Sequence, residues 1–174
     1  MLKTSIAAVP EEIWETPGGR FRQRSRAVSI ALGCDPRSND ASRRHPFDFE
    51  HCTIPPRSAA CPYHAHSAQW EMYVVLAGEG VVRDEAGRHP LVPGDVVLFP
   101  PNEAHQILNE SDADLVMLII ADNPLGESCH YPDSGKWLVN TGSKREVIKG
   151  HVVDYLDGEE PLPSEDPPQP ADPA

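Results

Sequence analysis

The sequence predicts an all-β protein, a barrel or sandwich of short strands, and two observations carry that expectation. Proline makes up 19 of the 174 residues, about twice average usage, and proline cannot donate to a helix or to a central strand ladder. Short apolar runs also recur along the chain, each stopped by Gly, Pro, Asn or Asp, which is the pattern of an all-β fold.

In chain order, the N-terminal stretch around Pro10-Glu11-Glu12-Ile13-Trp14 reads as a possible helical turn. Residues 26–32 form an apolar run that stops at Gly33, and residues 47–54 form a second that stops at Pro55-Pro56. The run 71–76 ends in Ala77-Gly78-Glu79-Gly80, and Val81-Val82-Arg83 leads into the Asp84-Glu85-Ala86-Gly87 turn. Leu91-Val92 meets Pro93-Gly94-Asp95, and Val96-Val97-Leu98-Phe99 meets Pro100-Pro101-Asn102. Residues 114–121 give a longer strand candidate and residues 136–140 a further one. There is no internal repeat.

Length and charge narrow the function classes. A chain of 174 residues holds one domain with a real core rather than two. The expected division is an N-terminal arm over 1–25, a barrel over 26–156 and an acidic, proline-rich, disordered tail over 157–174. The net charge is −12, and the seven acidic residues that follow Lys149 face no basic one. Six prolines fall in the same C-terminal stretch, a composition that cannot offset the entropy of ordering. The acidity argues against nucleic acid and against an anionic membrane face as partners. No apolar run approaches the roughly 20 residues of a membrane span, and the first ten residues lack a signal-peptide pattern, so a cytoplasmic location is expected. Cys34, Cys52, Cys61 and Cys129 form no CxxC pair and are expected as reduced thiols.

The chemistry concentrates on four side chains. In a strand, residues i and i+2 share a face, so His64 and His66 can reach one ion. Glu71 follows His64 by an odd number of residues, so a turn at Ser67-Ala68-Gln69 is needed to bring it to the same side. His105 follows the Pro100-Pro101-Asn102 turn, which can aim its ring inward. Glu71 has the alternative role of orienting a ligand histidine. Cys61 stands at odd strand spacing from His64 and His66, so its thiol is expected to point away from both. Tyr73 shares parity with Glu71 and Val75 and is a candidate for the barrel interior, as a substrate-orienting residue beside Gln69. Met72, Val74 and Leu76 occupy the other face and are also apolar, so that strand needs cover on both sides, which favours a homodimer.

These residues stand in an order and spacing that resembles the cupin superfamily. The first motif is matched by His64-Ala65-His66, Glu71 and Gly78, with Ser58 where a leading glycine is expected. The second is matched by Gly94, Pro100, Asn102, His105 and Asn109, with Asn102 in place of a glycine; asparagine tolerates the left-handed backbone region. The resemblance implies a jelly-roll barrel, a double-stranded β-helix, with a metal inside. It implies His64, His66, Glu71 and His105 as ligands. Cys61-Pro62-Tyr63, Ala104-His105-Gln106-Ile107 and Tyr131-Pro132-Asp133-Ser134-Gly135-Lys136 also resemble a cupin subgroup to which no reaction is attached.

Three imidazoles and a carboxylate suit one divalent transition ion per chain, iron or manganese first, with nickel, copper, cobalt and zinc as alternatives. The expected function is a metal-dependent enzyme acting on a small organic molecule, by oxygenase chemistry first and by decarboxylase, lyase or isomerase chemistry next. The alternative is a metal- or metabolite-binding module that transforms nothing. Tyr73 and Gln69 are the candidates for catalytic roles beside the ion.

Overall fold

The structure is a computed structural model that describes residues 1–36, 38, 40, 42–141 and 144–159. Most of the expected acidic tail, residues 160–174, lies outside the described residues. The strands are β1 (Glu12–Glu15), β2 (Arg22–Ala27), β3 (Phe47–Ile54), β4 (Ser58–Ala59), β5 (Ala65–His66), β6 (Glu71–Ala77) and β7 (Gly80–Arg83). They continue as β8 (Arg88–Leu91), β9 (Val96–Phe99), β10 (Gln106–Asn109), β11 (Leu115–Asp122), β12 (Cys129–Tyr131), β13 (Lys136–Thr141) and β14 (Lys144–Lys149). A 3-10 turn at Ile6–Ala8 and a single helical turn, α1 (Val28–Ala31), complete the described elements.

The strands form a six-stranded sheet in the order β1-β2-β3-β11-β6-β9 and two four-stranded sheets, β4-β10-β7-β8 and β14-β13-β12-β5. The named strand pairs are antiparallel. The core lies between the first two sheets. Cys52, Ile54, Tyr73, Val75, Phe99, Leu115 and Met117 from one meet Val82, Leu91 and Ile107 from the other. Each fully buried Ile, Leu or Met contributes roughly 1.5–3 kcal/mol, which is what closes the barrel around its interior.

Period-two patterning explains how that interior is lined. Glu71, Tyr73 and Val75 alternate with Met72, Val74 and Leu76 along β6, and Tyr73 and Val75 are buried while Leu76 is exposed. Across the sheet, Met72 pairs with Leu98 and Ile120, and Val74 pairs with Val96 and Leu118. The outer face of this sheet is therefore apolar, and Val96 and Leu98 stand exposed on it.

Two local expectations change. Residues 26–32 do not make one strand, because β2 ends at Ala27 and the chain turns into α1. That turn is closed by Leu32 N–H to Val28 O at 3.1 Å and ends at Gly33, whose φ of +94° only glycine adopts freely. The N-terminal segment is not helical at 10–14 either: Glu12–Glu15 pairs with β2 and joins the edge of the large sheet.

Gly78 links β6 to β7 at φ +79°, and a Cβ there would lie 2.1 Å from the carbonyl oxygen of Asp114. The turn needs a residue without a side chain. Asn102 holds φ +69°, the conformation that its motif position requires, and its N–H donates to His66 O at 2.7 Å. Ser58, at the other departure from the motif, is buried and donates its hydroxyl to Pro55 O at 2.7 Å.

Candidate metal centre

Three segments of chain bring the four side chains together. His64 and His105 pair through two backbone hydrogen bonds, His64 N–H to His105 O at 3.1 Å and His105 N–H to His64 O at 2.8 Å. His66 ends β5, and Glu71 opens β6. Between them the chain turns at residues 67–70, around the Glu127 carboxylate, which accepts from the backbone N–H of Ser67 (3.1 Å), Ala68 (2.9 Å) and Gln69 (2.8 Å). The turn expected from the odd spacing is thus present, and a residue some sixty positions downstream shapes it.

The imidazoles converge through Nε2. His64 Nε2 lies 3.1 Å from His66 Nε2, and Glu71 Oε2 lies 3.0 Å from His105 Nε2 and 3.3 Å from His66 Nε2. One ligand atom from each of the four residues fits within 4.8 Å of all the others. Each Nδ1 faces an acceptor instead: Pro62 O at 2.9 Å for His64, Glu103 O at 3.1 Å for His105, and Glu127 Oε1 at 3.2 Å for His66. An Nδ1–H anchored in this way leaves the Nε2 lone pair for an ion, the arrangement found around metal-ligating histidines. The donor set and its outer contacts fit a divalent transition ion.

Electrostatics agree with a site built for a cation. Burial holds the His64 ring well below its ordinary range, to about 4, with His105 adding to the effect, so it stays a neutral donor. Burial opposes ionisation of Glu71, but its hydrogen bonds with His105 and His66 outweigh that and hold it as a carboxylate. Burial also works against a charge on His66, and contacts with Cys129, Glu127 and Glu71 overcome it, so the metal-free ring holds a proton that an ion at Nε2 would displace.

Cys61 corrects the strand argument. Its Sγ lies 3.5 Å from His64 Nδ1, because residues 60–63 follow no strand and the parity rule does not apply there. Burial raises its thiol pKa far above the ordinary range, so it is a protonated group. Tyr73 is buried, with its OH 3.4 Å from His105 Nε2 and its ring edge-on to those of Phe99 and His105. Gln69 donates Nε2–H to Asp122 O at 2.5 Å. The structure brings both residues to the same cavity of about 290 Å³, lined also by His64, His66 and Glu71.

Other residues at this cavity carry no signal in the local sequence. Glu50 and Asp48 project into it from β3, and Arg145 and Tyr131 line it from the third sheet. Burial, with the negative charges of Asp48, Glu71 and Glu12, pushes the Glu50 carboxyl up to about 7. The remaining subgroup-like residues lie outside the lining of that cavity. Asp133 takes a two-pronged ion pair from Arg83, whose guanidinium lies 4.1 Å from the Tyr63 ring centroid. Gln106 donates to Cys61 O at 2.8 Å. His130 stacks on Trp137 and His89 bonds Asp84, which makes both structural.

Known proteins give the same fold. A cupin domain model matches residues 50–121. An oxalate-binding protein of Thermotoga maritima is 35% identical over 120 residues, 69% of this chain and 92% of that protein. A cupin-superfamily sugar phosphate isomerase structure from Silicibacter pomeroyi aligns at a TM-score of 0.71 with 24% identity, covering 93% of this chain and 97% of the other. A structure described as a predicted oxalate decarboxylase from Thermotoga maritima aligns at 0.53 with 22% identity, covering 71% and 99%. With a double-stranded β-helix, both motifs in place and a relative matched over nearly its full length, the chain belongs to the cupin superfamily.

Proposed function

We propose that this protein is a metal-dependent enzyme that transforms a small organic molecule inside the barrel. One divalent transition ion per chain would be held by His64, His66, His105 and Glu71, iron or manganese first, with nickel, copper, cobalt and zinc as alternatives. The observation that supports it most is the convergence of three Nε2 atoms and one carboxylate, each ring anchored behind, at a cavity of about 290 Å³ that His64, His66 and Glu71 line. A bound ion supplies Lewis-acid polarisation or a site for dioxygen.

The chain's own groups bind and orient the substrate. Glu127 fixes the His66 ring. Gln69, with its amide N–H tied to Asp122 O, offers its Oε1 as an acceptor, and the Tyr73 hydroxyl stands beside His105 as a donor. Oxygenase chemistry is the first reaction class. Proton-transfer chemistry, such as isomerisation or decarboxylation, is the second, and the Glu50 carboxyl in the same cavity favours it, since a group poised near pH 7 exchanges protons readily. The names of the oxalate-binding and isomerase relatives support a small, oxygen-rich ligand.

The apolar outer face formed by Met72, Val74, Val96, Leu98, Leu118 and Ile120 supports a homodimer. The enzyme reading is tested by loading anaerobically purified protein with Fe(II) or Mn(II). Oxygen uptake and product formation are then followed across a panel of small hydroxy acids, keto acids and sugars. Turnover that is lost in His64→Ala is expected. Binding without turnover under either metal would leave a non-catalytic binding module instead.

A further inference from the structure

Glu50 sits on the inner face of β3, in a cross-strand row with Ile119 and Tyr73, and Asp48 shares the next row with Ala121 and Glu71. Two strand spacings, roughly 9–10 Å, separate the Asp48 and Glu71 backbones, and the residue between them is the small Ala121. The cavity between the proposed metal and this acidic wall is therefore left open by the side chain in the middle.

Among the described residues, no hydrogen bond or ion pair occupies the Glu50 carboxylate. The charges that act on it, from Asp48 on its own strand, Glu71 on β6 and Glu12 on β1, are all negative. Arg145 lines the same cavity, and its charge acts on Tyr131 of the same sheet and is not among those that act on Glu50. A largely buried carboxyl without a partner is costly unless a ligand completes it. Above the pH of about 7 to which its carboxyl is pushed, Glu50 is an ionised carboxylate that only accepts hydrogen bonds, so there the ligand must bring donors.

We infer that Glu50, backed by Asp48, is the ligand-recognising group of the cavity, and that it selects a small molecule with hydroxyl donors over a small dicarboxylate. This deepens the metal-centre proposal: one oxygen-bearing end of the ligand faces the ion and the hydroxyl end faces Glu50. A dicarboxylate would set acceptor against acceptor and negative charge against negative charge in a shielded site. An ammonium group would suit Glu50 but would be repelled by a divalent ion sharing the cavity.

Three molecules of equal length test the choice on Mn(II)-loaded full-length protein at about pH 8, where Glu50 is ionised: 3-hydroxypropanoate, malonate and β-alanine. All three share a carboxylate at one end and differ at the other, which is a hydroxyl, a second carboxylate or an ammonium. Calorimetric titration should show 3-hydroxypropanoate binding about tenfold or more tighter than malonate, the scale of one mismatched buried polar contact. Glu50→Gln should bring the two within about threefold of one another, and Asp48→Asn should narrow the gap by less. Manganese content measured on the same samples separates loss of the metal from loss of recognition. Malonate binding as well as 3-hydroxypropanoate in the wild type, a preference unchanged in Glu50→Gln, or β-alanine as the tightest of the three would each overturn the inference.

Discussion

Glu127 shows why short-range spacing finds part of a site and misses the rest. That His64, His66, Glu71 and His105 come together was legible, because a strand repeats every two residues and two tight turns carry the remaining geometry. Glu127 was not, since it reaches His66 and the 67–69 backbone from about sixty residues away. No local pattern marks such a residue. Glu50 and Asp48 were hidden in the same way, because their place beside Glu71 depends on the β3–β11–β6 register. Cys61 was misplaced because the parity rule was applied where no strand exists. Two outcomes are expected at this scale. Glu127→Gln should weaken metal affinity about 10- to 100-fold, read by competition with a chelator. Glu50, with its carboxyl pushed up to about 7 by burial and by Asp48, Glu71 and Glu12, has a pKa above its unfolded value. Its contribution is fully present below about pH 4.5 and is lost as the pH rises through about 7. Metal-free Glu50→Gln should therefore exceed wild type in stability at pH 8 by on the order of 2 kcal/mol, with the gap closing near pH 4. Chemical denaturation across that range measures it.

Among the elements, the strands with clear turn residues at both ends were legible. β9 falls on Val96–Phe99, and β3 on Phe47–Ile54, as their flanking prolines indicate. The apolar run at 26–32 was ambiguous, since a short apolar stretch has no period that separates a strand from a helical turn. The hydrogen bonds of α1 and the positive φ of Gly33 decide it. β14 carried too many charged residues to stand out, and it lies exposed at the edge of its sheet. The β6–β7 turn is the element most dependent on one residue. Gly78→Ala adds a Cβ at 2.1 Å from Asp114 O and takes a positive φ, so it should cost more than about 2 kcal/mol and lower the melting temperature by several degrees.

For the whole molecule, the alternation along β6 leaves one apolar face inside the barrel and another outside it. Sedimentation at twice the chain mass is expected, and Leu98→Glu, which places a charge on the exposed outer face, should shift the protein to monomer while leaving its far-ultraviolet spectrum unchanged. A monomeric wild type would remove the homodimer from the account. The most direct test of the central claim is the metal content of protein purified without added chelator, measured by elemental analysis beside His105→Ala. Close to one transition-metal ion per chain is expected in the wild type and little in the variant. Metal absent from wild type even after loading with Fe(II) and Mn(II), or retained undiminished in His105→Ala, would contradict it.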